Sequence, residues 1–190
     1  MGGADKGWLL LNGEPLVMHA LRRLQPQVGS LLVSANRHLE RYRSLGVPVV
    51  TDDPPGFEGP LAGVLAGLEA CNTPWMACVP CDAPCFPADL VGRLHQAALA
   101  QGRDAAVVVS VRQDRRSIEP AFCLLRAALA PSLRASMAAG ERRWQGWLNA
   151  VGAAPVEFAI ATDAADPVKT DPFANLNTPE DLAQAQRPGA

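Results

Sequence analysis

Short apolar, β-branched runs alternate with amphipathic stretches along most of the chain. That alternation is the pattern of βαβ units, whose strands form a largely parallel sheet covered on both faces. Trp8 to Leu11 reads as a short strand ending at the turn pair Asn12-Gly13. Pro15 then suits the first turn of a helix with Leu16, Ala20, Leu21 and Leu24 along one face. Ser30 to Ala35 and Val47 to Val50 read as strands, with a helix over His38 to Leu45 between them. Leu61 to Ala70 reads as a helix entered through the loop PPGFEGPLAG, and Trp75 to Val79 as the next strand. Pro87 opens a helix with Leu90, Val91, Leu94, Ala97 and Ala98 on one side, and Ala105 to Val111 is the clearest strand.

Farther on come the charged turn QDRRS, the apolar segment AFCLLR, an Ala-rich helix ending near Gly140, a helix around Arg143 to Val151 and a strand PVEFAI. These later elements are expected to extend the same sheet and to wall one side of a cleft. In NTPEDLAQAQ, Thr178 fits an N-cap, Pro179 the first helical position and Asp181 the capping-box acid, where Glu or Gln is usual.

Composition narrows the possibilities. With 190 residues, 48% of them hydrophobic, the chain suits one domain over 1–190 with a substantial core. A formal net charge of -2 gives no general attraction to nucleic acid or anionic membrane, so any nucleotide contact must be local. No apolar run approaches the ~20 residues that span a bilayer and no signal-peptide pattern opens the chain, so a cytoplasmic location is expected. Five cysteines are present, three of them in CVPCDAPC. Without a second pair at ribbon or finger spacing, reduced and mostly buried thiols are expected rather than a zinc site.

In open parallel sheets ligands lie beyond the carboxyl ends of strands, so polar residues just after strands carry weight. Asp82 follows WMACV in an otherwise apolar stretch, where its carboxylate needs a partner: a magnesium ion, or a helix cap or turn with Pro84. Asp52 and Asp53 follow VPVV, and Asn36 and Arg37 follow SLLVSA; each pair is either a turn former or a ligand-binding group on the same rim. Lys6, among Gly2, Gly3 and Gly7, is either the ammonium of a phosphate cradle or a solvated lysine on a frayed terminus. GPLAG offers backbone N–H groups to an anion. Arg142 and Arg143 in GERR suit a second anion or a solvated helix start, and Asn175 and Asn177 form a further polar pair. GxxxxGK[ST], GxGxxG and GxSxG are all absent, and His19, His38 and His95 fall in helical patterns without metal-ligand spacing.

MGGADKG, SANRH, GPLAG, PCDAP, GERR and FANLNTPEDL, in this order and at these separations, closely resemble the molybdenum cofactor guanylyltransferase family of nucleotidyltransferases, over nearly the whole chain. The resemblance implies a Rossmann-like three-layer α/β sandwich with a mostly parallel central sheet. It implies joining of GMP from GTP to the terminal phosphate of molybdenum-molybdopterin, with release of pyrophosphate. Carried over by position, Lys6 holds the GTP phosphates, Ser34, Asn36 and Asp52 lie near the nucleoside, and Asp82 binds Mg2+. Arg142, Arg143, Asn175 and Asn177 fall on the pterin side, and proteins delivering or receiving the cofactor are implied partners. Two departures stand out. The family begins with an apolar strand and a loop of the type LAGGxxxRM before GGxDKG, whereas Met1 stands at that loop's methionine. The first strand is thus expected to be missing, leaving unpaired edges in a core position. Ser34 also stands where the family often has asparagine. Other readings are a cytidylyltransferase for the same cofactor, a sugar-phosphate nucleotidyltransferase, and a non-catalytic cofactor-binding protein.

Overall fold

In the computed structural model, residues 5–52, 59–113, 115–160 and 171–186 are described. The chain enters through a single 3-10 turn, Lys6–Trp8, and a two-residue hairpin, β1 (Leu10–Leu11) with β2 (Glu14–Pro15). The strand expected from Trp8 onward is therefore cut to two residues. Asn12 and Gly13 both adopt positive φ, 53° and 81°, the pairing that matches the twist of a tight antiparallel hairpin, so Leu10 and Leu11 pair locally instead of joining a larger sheet. Helix α1 (Leu16–Leu24) begins one residue after Pro15 and buries Leu16, Val17, Ala20 and Leu24.

Next come β3 (Val33–Ser34), α2 (Leu39–Arg43) and β4 (Val49–Val50), with β3 and β4 paired in parallel. Helix α3 (Pro60–Ala70) follows Gly59, whose φ of 104° suits a residue without Cβ. Strand β5 (Trp75–Cys78) leads to α4 (Leu90–Ala100), β6 (Ala105–Arg112), β7 (Arg115–Arg126), α5 (Ala130–Ala138), α6 (Trp144–Ala150) and β8 (Ala154–Ala159). The terminal helix α7 (Pro179–Gln186) carries the expected capping box. Thr178 Oγ1 accepts from the Asp181 amide at 3.1 Å, and Asp181 Oδ2 accepts from the amides of Asn177 and Thr178 at 2.9 Å each.

The larger sheet has the order β5-β7-β6-β8. Strands β5, β6 and β8 share a direction, and β7 runs antiparallel between β5 and β6. Of QDRRS, read from sequence as a charged turn, Gln113 lies in a turn with φ of 50° and Arg115–Ser117 begin this long strand, whose buried end is the segment AFCLLR. The register slips between Val107 and Val108, whose partners are Cys123 and Glu119. That irregularity accommodates Pro120, which has no N–H to give to the ladder.

Both faces of the sheet are covered, giving three layers. On one face α1 and α4 enclose Ala106, Val108, Phe122, Leu124, Val156 and Phe158, where Phe86, Phe122, Phe173 and Phe158 pack at centroid separations of 4.9–6.1 Å. On the other, α3, α5 and α6 cover Ala105, Val107, Cys123 and Leu125 with Leu65, Leu133 and Trp147. Among the described residues no strand joins β3 to β5. Their facing edges bound a slot of about 810 Å³, lined by Leu31–Ser34 and Trp75–Cys78 and walled by residues of α1 and α3.

Candidate functional site

Ser34 and Val50, the last residues of β3 and β4, and Cys81, just past β5, line the slot, whereas Lys6, Asn36, Asp52 and Asp82 are not among its lining residues. Asp82 sits in the turn after β5, half-buried. Burial raises the pKa of its carboxyl above the ordinary value, while the nearby ammonium of Lys6 and the residue's own backbone amide oppose that rise. Lys6 and Asp82, placed at one site by the sequence, thus share a field. The turn is held from the far end of the chain, because the Leu176 amide donates to the Asp82 carbonyl at 2.7 Å. Leu176 is itself buried with Leu11 and Leu16. Asp171 anchors the same segment: it is only 8% exposed, pairs with Arg112 and accepts from the Phe173 amide. Asn175 and Asn177 flank Leu176, exposed, and are thereby brought to the Asp82 turn.

A second group lies at the β3 and β4 ends. Asn36 Nδ2 donates to Asp52 Oδ2 at 2.6 Å, and the Asp52 amide donates to Asn36 Oδ1 at 2.9 Å. Asp52 Oδ1 is buried and has no hydrogen-bond partner among the described residues, so it is open to a ligand donor. Gly63 on α3 permits the close approach: a Cβ there would lie 2.7 Å from Ser34 Oγ and 3.4 Å from Asp52 Oδ1. Asp53 and most of the PPGFEG loop lie outside the described residues.

Arg142 and Arg143 line a separate depression of about 560 Å³ with Glu141 and Trp147, and none of its lining residues belongs to the strand-end group. Arg142 Nη1 donates to the carbonyls of Met137 and Glu141, tying down the end of α5, whereas the Arg143 side chain is 86% exposed. The thiols are less buried than the sequence suggested. Cys123 is buried, Cys85 is exposed, and Cys71, Cys78 and Cys81 lie between. The cluster CVPCDAPC does not converge, because β5 sends Cys78 to the same face as its cross-strand partner Cys123 while Cys81 packs with Val33 and Tyr42. Burial, then the Asp82 and Asp5 carboxylates, push the Cys81 thiol up to about 11.

Sequence reasoning passed over Asp5, Tyr42 and Gly63. Asp5 stands inside the quoted GGADKG run and Gly63 closes the quoted GPLAG, but their roles, like that of Tyr42, come from contacts across the fold that no local pattern announces.

Because burial raises the folded Asp82 pKa, this group favours folding most below its unfolded value, and that contribution is lost as the pH rises through the folded value. At neutral pH its charge weighs against the fold. Asp82→Asn is therefore expected to raise the melting temperature at pH 7 by about 1–3 °C. The gain should shrink as the pH approaches the ordinary aspartate value of about 4, a trend that differential scanning fluorimetry across pH would check.

A three-layer α/β protein that gathers an ammonium and carboxylates beyond its strand ends is of the nucleotide-handling class. The family model described as MobA-like NTP transferase domain matches residues 1–153, and the chain belongs to that family. It is 49% identical over 183 residues to the molybdenum cofactor guanylyltransferase of Cupriavidus necator, covering 96% of this chain and 87% of that protein. Among solved structures, molybdopterin-guanine dinucleotide biosynthesis protein A from Archaeoglobus fulgidus matches with a TM-score of 0.68 at 20% identity, covering 97% of this chain and 90% of that one. The 2-C-methyl-D-erythritol 4-phosphate cytidylyltransferase of Thermus thermophilus matches with a TM-score of 0.65 at 20% identity, covering 95% and 92%. Both share the fold.

Proposed function

We propose that this chain is a guanylyltransferase that joins GMP from GTP to molybdenum-molybdopterin and releases pyrophosphate. The observation that carries the reading is the ammonium of Lys6 close enough to the half-buried Asp82 to hold down its carboxyl pKa, with the unpartnered oxygen of Asp52 just after β4. The names of relatives such as the Cupriavidus necator protein support the guanylyl and molybdenum assignments.

In this reaction a terminal phosphate oxygen of the pterin attacks the α-phosphorus of GTP. A P–O bond forms there as the bond to the β-phosphate oxygen breaks, and the electron pair leaves with pyrophosphate. The attacking phosphate is already ionised, so no general base is required, and catalysis is positioning plus stabilisation of developing charge. Lys6 supplies a fixed ammonium for the departing phosphates. Ser34, Asn36 and Asp52 hold the nucleoside end, with Asp52 Oδ1 free to accept a hydrogen bond. Asn175 and Asn177, at the Asp82 turn, and Arg142 and Arg143, which line a separate depression, are read as pterin-side groups. The donor set suits magnesium: a single desolvated carboxylate, Asp82, fits an ion that takes oxygen ligands and shares its shell with substrate phosphates and waters. Bound there, magnesium would neutralise phosphate charge. Proteins that deliver or receive the pterin would meet the same rim. No helix of the described residues is long and apolar enough to cross a membrane, and we place the reaction in the cytoplasm.

The test is pyrophosphate release by the purified chain given magnesium, molybdenum-molybdopterin and either GTP or CTP. GTP should support turnover about 100-fold better than CTP. Equal rates, or GTP binding with no pyrophosphate released, would overturn the assignment.

A further inference from the structure

The Lys6 turn is secured by little of its own. It is one 3-10 turn with two local backbone bonds, Trp8 N–H to the Asp5 carbonyl at 3.0 Å and Leu9 N–H to the Lys6 carbonyl at 3.1 Å. Leu10, the first residue to join a strand, pairs only within the local hairpin. A side chain from elsewhere closes the turn. Tyr42, on α2 and only 5% exposed, donates its hydroxyl to Asp5 Oδ1 at 2.7 Å across 37 positions of sequence. The other end of the turn is gripped by the same helix: the Trp8 ring lies 5.3 Å from that of Tyr42, and the Arg41 guanidinium sits 4.0 Å from the Trp8 centroid. Lys6 stands between these two fixed points. Gly7 completes the fit, because a Cβ there would come within 2.8 Å of Tyr42 Oη and 3.5 Å of Cys81 Cβ.

We propose that Tyr42 is a positioning residue for Lys6: its hydroxyl, bonded to Asp5, clamps the Asp5–Trp8 turn so that the ammonium is held toward Asp82. The clamp rests on the reading of Lys6 as the phosphate-binding cation. A hydroxyl given to a carboxylate is among the stronger neutral-to-charged hydrogen bonds, and one made inside a buried cluster is not readily replaced by water. Free of it, the turn keeps its sequence but loses its fixed orientation, and a lysine with four rotatable bonds then has many places to go.

Tyr42→Phe removes the hydroxyl and keeps the ring, so the packing on Trp8 survives. It is expected to lower kcat/KM for GTP about 10–100-fold. In a Lys6→Ala background the same change should cost less than about twofold, since the clamp acts through the lysine. Asp5→Asn, which still offers an oxygen to the hydroxyl, should stay within about threefold of the parent, and Asp5→Ala should match Tyr42→Phe. Equal losses from Tyr42→Phe in both backgrounds overturn the proposal, as does an Asp5→Asn loss as large as that of Asp5→Ala. Hydrogen exchange at the Trp8 and Leu9 amides reads the clamp without turnover, and Tyr42→Phe should speed it at least about tenfold. If Lys6→Ala leaves the GTP dependence unchanged, the reading of the lysine falls. Unchanged exchange at those two amides in Tyr42→Phe overturns the clamp itself.

Discussion

Asp82→Ala is expected to lower pyrophosphate release from GTP on the order of 1,000-fold or more while leaving the protein folded. The carboxylate is half-buried and costs folding free energy at neutral pH, so its removal relieves the fold, and a loss of turnover cannot be charged to unfolding. On the proposed reading, the cost of desolvating this carboxylate is offset by the Lys6 ammonium and by positive charge bound with the triphosphate. The measurement is single-turnover pyrophosphate release at saturating GTP, with melting temperature recorded on the same preparations. Chelation of divalent cations by EDTA should reduce the parent enzyme to the level of the variant. Turnover within about tenfold of the parent would remove Asp82 from the chemistry.

The second large effect belongs to Lys6→Ala, expected to raise the KM for GTP about 100-fold. It carries a further signature. The Lys6 ammonium opposes the rise that burial imposes on the Asp82 carboxyl, so its removal leaves that carboxyl easier to protonate. The acid limb of kcat/KM against pH should therefore move to higher pH in the variant, since the ionised carboxylate is the working form. A weaker nucleotide dependence with an unmoved acid limb would separate the two residues, leaving Lys6 as a binding group with no bearing on Asp82.

Much of the molecule could be read from local signals. The Asn12-Gly13 turn, the Thr178 and Asp181 capping box and the helices at 60–70, 90–100 and 130–138 follow from chemistry spanning a few residues, which acts the same way wherever the segment lies. The Trp8–Leu11 strand was misread because an apolar run of four does not say whether it will pair with a sheet or with its own hairpin. The thiols of CVPCDAPC were expected to be mostly buried as a group, yet the strand's alternation and the turn after it scatter them to different surroundings.

By itself, then, the sequence determined most of the helices, the Asn12-Gly13 turn, the cap of the last helix and the polar residues that follow the strands, because period, turn chemistry and capping are properties of neighbours in the chain. Only the tertiary structure decided that β7 lies antiparallel within the sheet, that Gly63 brings α3 onto Ser34 and Asp52, that Leu176 fastens the Asp82 turn, and that Tyr42 holds Asp5. Those relations join residues far apart in sequence. Their energies come from burial and from hydrogen bonds that exist only once the layers have closed, and no segment carries them alone.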